Sequence, residues 1–111
     1  MAQTRFTGPV VSDNGFIAGS GATVTKVLTA TATLNFPSIS AAAQADLTIT
    51  VTGAAVGDEV VMSLPAAPAA GLVFNAFVSA TDTVTIRASN ITASPVDAAS
   101  ASYGVIVLGA A

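Results

Sequence analysis

Asp46-Leu47-Thr48-Ile49-Thr50-Val51-Thr52-Gly53, DLTITVTG in one-letter code, alternates apolar and hydroxyl side chains without a break and stops at a glycine. Side chains of a strand point to opposite faces in turn, whereas those of a helix repeat every ~3.6 residues, so a period of two marks a half-buried strand. Leu47, Ile49 and Val51 are expected to face a core, and Thr48, Thr50 and Thr52 to face away. TVTIRASN, Thr83 to Asn90, repeats the pattern with Val84, Ile86 and Ala88 inward and Thr83, Thr85, Arg87 and Ser89 outward. β-Branched residues suit such a pleated surface.

Working outward, TVTKVLTATATLNF (Thr23 to Phe36) reads as one long strand or two short ones. EVVMSL (Glu59 to Leu64), LVFNAFVS (Leu72 to Ser79) and SYGVIVL (Ser102 to Leu108) complete a set of about six. The last is apolar on both faces, as in a central strand or one covered by a neighbouring subunit. Turn signals separate the runs: Pro37-Ser38, Gly53, Gly57-Asp58, PAAPAAG from Pro65 to Gly71, Thr81-Asp82, and SPVD from Ser94 to Asp97. Only SAAAQAD, Ser40 to Asp46, has helix-forming composition, and it has room for no more than a helical turn before Leu47. Short strands at even spacing with such punctuation predict an all-β domain over residues 23–111. The expected form is an antiparallel β-sandwich or jelly-roll-like barrel of about six to eight short strands.

Residues 1–22 differ. GPVVSDNGFIAGSGA is rich in glycine, serine and proline, and the alternation is missing. Asn14-Gly15 between Val10-Val11 and Phe16-Ile17 suits a type I′ hairpin. Phe6, Phe16 and Ile17 in so polar a segment look like anchors, which suggests an extended N-terminal arm docked on a partner. The other reading is a loop folded back on its own core.

Totals narrow the function classes. The chain has 111 residues, of which 52% are hydrophobic and only 8% charged, with a net charge of −3 and Arg5, Lys26 and Arg87 as its cations. Three scattered cations do not displace counterions from a phosphate backbone, which argues against nucleic acid as a partner. Thr, Ser, Asp or Pro interrupts every apolar stretch before the ~20 residues of a membrane helix, and MAQTRFTGPV has no signal-peptide run. Without cysteine there are no disulfides and no thiolate chemistry, a composition that fits a reducing compartment. Without histidine the commonest general base and metal ligand is missing. So few charges on an exterior suggest a subunit covered by protein partners, since interface cores are depleted in charge; the other reading is an ordinary threonine-rich β protein.

Candidate sites dissolve on inspection. Asp58 and Glu59 are adjacent at the entry to a strand, so their side chains diverge, while paired-carboxylate chemistry needs convergence. AVGDEVV reads as a turn. Asp13 and Asp82 lack the alternating oxygen ligands of a calcium loop. GSGA (Gly19 to Ala22) lacks the lysine and helix of a phosphate loop. Serines without histidine make no ordinary triad, and Lys26 has no serine–lysine motif around it. No catalytic, cofactor-binding or metal-binding residue is expected, and no cofactor. Phe74 and Phe77 fall on opposite faces of one strand, so one of them is expected at a second buried surface such as a subunit contact.

The segment Thr31 to Leu108 resembles a small β module of tailed-bacteriophage structural proteins, seen in capsid decoration (cement) proteins and in head- and tail-fibre proteins. The resemblance rests on TVTGAAVGD (Thr50 to Asp58), AGLVF (Ala70 to Phe74), VSATDTVTIRASNIT (Val78 to Thr92) and PVDAASASYGVIVL (Pro95 to Leu108). It implies a non-enzymatic, trimeric virion protein. Because the module makes up nearly the whole chain, it is most similar to a cement protein that binds the major capsid protein on the outer shell and ties capsomers together. Such a chain is made in the host cytoplasm and binds neither nucleic acid nor membrane. Phe6, Val10, Val11, Phe16 and Ile17 are then the expected capsid contacts, and Phe77, Ile106 and Leu108 the expected contacts within a homotrimer. The alternative within the same resemblance is a short head-fibre, tail-fibre or baseplate module that binds a receptor or another virion protein.

Overall fold

In the computed structural model, which describes residues 3–111, the alternating stretch forms β3 (Gln44–Thr50) and the described chain is all β. The other strands are β1 (Phe16–Ile17), β2 (Thr23–Leu34), β4 (Glu59–Ser63), β5 (Leu72–Ala80), β6 (Thr83–Asn90) and β7 (Ala101–Ala110). They make two antiparallel sheets, β1-β2-β7-β4 and β3-β6-β5, packed as a sandwich. Thr23 to Leu34 is one continuous strand. β7, apolar on both faces, is central between β2 and β4.

Inward residues of the two sheets meet in one core. Leu34 of β2, Val105 and Val107 of β7, Ile49 of β3, Val78 of β5 and Val84, Ile86 and Ala88 of β6 are buried there. Phe36, just past β2, sits against Phe74 of β5 and Tyr103 of β7, with ring centroids 5.9 and 5.7 Å away in edge-on arrangements. Phe74 therefore belongs to the core and Phe77 to the outer face of the same strand. Burial in this core pushes the Tyr103 phenol above its ordinary pKa.

Two local expectations differ from the structure. SAAAQAD is not helical: Ala43 N–H closes a turn on the Ser40 carbonyl, Ala42 takes φ +59°, and β3 starts at Gln44. A helix needs more residues than this to offset nucleation, and Gln44 and Ala45 instead join the β6 ladder opposite Ser89 and Ala88. Likewise, Asp13-Asn14 does turn, yet Val10-Val11 is not a strand. Phe16 and Ile17 pair forward with Val24 and Thr23. Residues 3–14 are exposed throughout, and the first two positions of the expected 1–22 arm lie outside the described residues.

Strands β5 and β6 join through Thr81-Asp82, where Asp82 has φ +61°. Aspartate tolerates this left-handed geometry when its short carboxylate finds a local partner. Here Oδ1 accepts the Gly53 N–H at 2.8 Å, and the Asp82 N–H donates to the Ala54 carbonyl at 2.9 Å. The two turns at this end of the three-stranded sheet are thus locked together.

Candidate functional site

The carboxylates come first, because they are the scarcest groups. Lys26 lies on the core-facing side of β2, and its stem passes over Gly109 of β7, where a Cβ would stand 2.7 Å from Lys26 Cγ. Glycine is required there for the stem to cross. The Lys26 ammonium then reaches both the Gly53 carbonyl at 2.8 Å and the Asp58 carboxylate at 2.9 Å, tying the two sheets at one end. Asp58 also accepts the Ala55 N–H at 3.0 Å within the Gly57 turn. Glu59 points the other way, onto the outer face of β4. The adjacent acids therefore diverge, and Asp58 has a structural partner.

Arg87 and Asp46 make a two-pronged pair across β6 and β3, at 2.8 and 2.9 Å, and the Arg87 guanidinium lies 5.1 Å from the Phe77 ring centroid. The Lys26 hydrogen bond, and then that of Ala55, hold Asp58 below the usual carboxylate range; the Arg87 hydrogen bond does the same for Asp46. Asp46 in turn raises Arg87. An acid whose folded pKa is depressed adds stability above its unfolded value of about 3.9 and loses it as pH falls through the folded value. The urea midpoint is therefore expected to be level from neutral pH to about 5 and to fall below about 4. Asp58→Asn should lower the midpoint at neutral pH and flatten that acid fall. An acid limb identical in wild type and variant would show that the pair contributes nothing.

The outer face of the four-stranded sheet has a different character. Its rows run Val27–Leu108–Glu59, Thr29–Ile106–Val61 and Thr31–Gly104–Ser63 across β2, β7 and β4. Glu59, at the rim, is the only charged side chain among them. Val27 is 58% exposed, Val61 56% and Ile106 43%, and Leu108 is half-buried. Gly104 leaves a shallow cleft of about 280 Å³ between Thr31 and Ser63, bordered by Thr29, Val61, Ser102 and Ile106. Beyond Val24, the edge of β2 away from β7 pairs with no other strand among the described residues.

Ile106 and Leu108 are thus brought together, joined by Val27 and Val61, while Phe77 lies on the opposite side of the sandwich beside Arg87. In the N-terminal segment Phe6 is 69% and Val11 85% exposed, and Val10, Phe16 and Ile17 are exposed as well. Val10 and Phe16 border a cleft with Val24, Thr25, Lys26 and Val27, so the root of this segment adjoins the charge-poor sheet face.

The comparisons give no relative. No protein-family model, curated protein or solved structure matches the chain.

Two features escaped the sequence analysis. Val27 is one valine in the otherwise threonine-bearing outward series of β2, a signal visible only once the strand's register is known. Asn90 ends β6, is 3% exposed, and organises the loops at the end of the sandwich away from Lys26. Its Nδ2 donates to the carbonyls of Ile39 at 2.9 Å and Ser94 at 2.8 Å, with a longer contact to Ser40; its Oδ1 accepts from the Thr92 N–H and hydroxyl. Asn90-Ile91-Thr92 has the spacing of a glycosylation acceptor, but this amide is enclosed and engaged. The short loop of Asn and Thr before Ser94-Pro95 was the available clue.

Proposed function

We propose that the chain is a non-enzymatic virion protein that cements a bacteriophage capsid from outside as a homotrimer. The observation that carries the proposal is the continuous, charge-poor apolar surface running from Val10 and Phe16 over Val27 to Ile106, Leu108 and Val61, with Lys26 and Glu59 only at its borders. Of the three cations, Lys26 and Arg87 are spent on ion pairs within the chain, so little charge is left to solvate an isolated molecule. The resemblance of Thr31 to Leu108 to phage structural modules supports the same reading.

In the trimer, Ile106 and Leu108 face the three-fold axis. Phe77, on the opposite face of the sandwich, is the contact offered to the next copy. Phe6, Val10, Val11, Phe16 and Ile17 grip the major capsid protein. Three such arms on one trimer gain avidity, because the second and third contacts form at high effective concentration. Binding only the assembled shell stabilises that shell by mass action.

Copy number in purified particles of the encoding phage, by quantitative mass spectrometry against the major capsid protein, tests the proposal. A ratio near one per capsid subunit is expected, together with a trimeric mass in equilibrium sedimentation. Removing residues 1–21 is expected to abolish capsid binding and leave the trimer folded. A ratio tens of times lower would move the protein to fibres or baseplate, and absence from the particle would end the virion reading.

A further inference from the structure

We infer that Asn14 is a site of self-catalysed deamidation, and that its product releases β1 from β2. The chain has four asparagines, at 14, 35, 75 and 90, and only Asn14 precedes glycine. Asn35 precedes the buried Phe36, Asn75 lies within β5, and Asn90 has its amide engaged. Asn14 instead occupies an exposed turn in which the Gly15 N–H reaches the Ser12 carbonyl only at 3.5 Å, the limit of a hydrogen bond. Gly15 has no side chain to screen its nitrogen from Asn14 Cγ.

Gly15 N, losing its proton to hydroxide, attacks Asn14 Cγ. The N–Cγ bond forms, the side-chain nitrogen departs as ammonia, and a five-membered succinimide results. Water then opens either carbonyl. One product is aspartate; the other is isoaspartate, in which the backbone runs through the former side chain. One water is consumed and one ammonia released, with no redox partner.

Isoaspartate adds a methylene to the main chain one residue before a tight contact. At Gly15, φ +88°, a Cβ would lie 2.0 Å from the Val24 carbonyl oxygen, so there is no slack beside it. β1 follows at once and is held by only two residue pairs, Phe16 with Val24 and Ile17 with Thr23. Both products also add a negative charge to a chain already at −3. The inference does not depend on what the arm binds.

The full chain is incubated at physiological temperature and mildly alkaline pH, then digested with trypsin. Cleavage after Arg5 and Lys26 yields Phe6–Lys26, in which Asn14 is the only side-chain amide. A gain of about 1 Da in that peptide is expected, with two separable products, one accepting a methyl group from an isoaspartyl methyltransferase. The rate should rise with pH and stay within a few-fold of that of the free synthetic peptide, as for a loop whose opening costs almost nothing. Asn14→Gln should show no conversion on the same timescale. In the aged protein, amide exchange at residues 16–17 and 23–24 should be several-fold faster, with β3 and β6 unchanged. Conversion more than about tenfold slower than in the peptide would show that the turn protects Asn14, and unchanged exchange in converted protein would refute the release of β1. Either result overturns the inference.

Discussion

Phe36→Ala is expected to destabilise the protein by about 3–5 kcal/mol, the range for removing a buried phenylalanine. Phe36 is 1% exposed and lies between the sheets, where its ring meets Phe74 and Tyr103, themselves 5.7 Å apart. Truncation removes its own transfer free energy and both edge-on contacts. It also leaves a cavity that two sheets pinned by their ladders cannot close. A domain of this length has roughly 5–15 kcal/mol in total, so the variant should lose a fifth of its stability or more. Urea denaturation with an unchanged slope measures it. Phe36→Leu, which keeps most of the volume, should cost less than half as much. A loss below about 1 kcal/mol for alanine would mean that the sheets collapse onto the gap.

Asn90→Asp is expected to be nearly as damaging, with a pH signature of its own. Asparagine donates to Ile39 and Ser94 from one side of its amide and accepts from Thr92 on the other. A carboxylate would turn an oxygen toward those carbonyls and bury a charge, at a cost of about 3 kcal/mol or more at neutral pH. Burial against carbonyl oxygens raises the acid's folded pKa above its unfolded value, so the folded state binds more protons. The variant should therefore regain stability as pH falls toward about 4, where the protonated acid donates again. That runs opposite to the acid fall expected from Asp46 and Asp58. Urea midpoints at neutral and mildly acidic pH decide the matter. Equal losses at both would mean that Asn90 acts through shape alone.

The sandwich was legible because it rests on local periodicity. Leu47-Ile49-Val51 and Val84-Ile86-Ala88 declare their inward faces within single strands, and Thr81-Asp82 declares its turn. Ser40 to Asp46 was less so. Its alanines favour helix in isolation, and the β6 ladder, forty-odd residues away, decided otherwise for Gln44 and Ala45. The partner of Phe16-Ile17 was equally open, since the Asn14-Gly15 signal and the edge of β2 competed for the same two residues. The candidate surface was half visible. Ile106 and Leu108 stood out as the apolar second face of β7, whereas Val27 and Val61 joined them only through register.

By itself, then, the sequence determined an all-β chain, the inward faces of β3 and β6, and the poverty of charge and of histidine and cysteine. All of these are properties of single residues or of neighbours along the chain. Only the tertiary structure decided that Lys26 crosses Gly109 to reach Asp58, that Asn90 ties Ile39 to Ser94, and that Phe77 and Ile106 look in opposite directions. Each of these depends on which strands lie side by side, and that order is set by how the whole core closes.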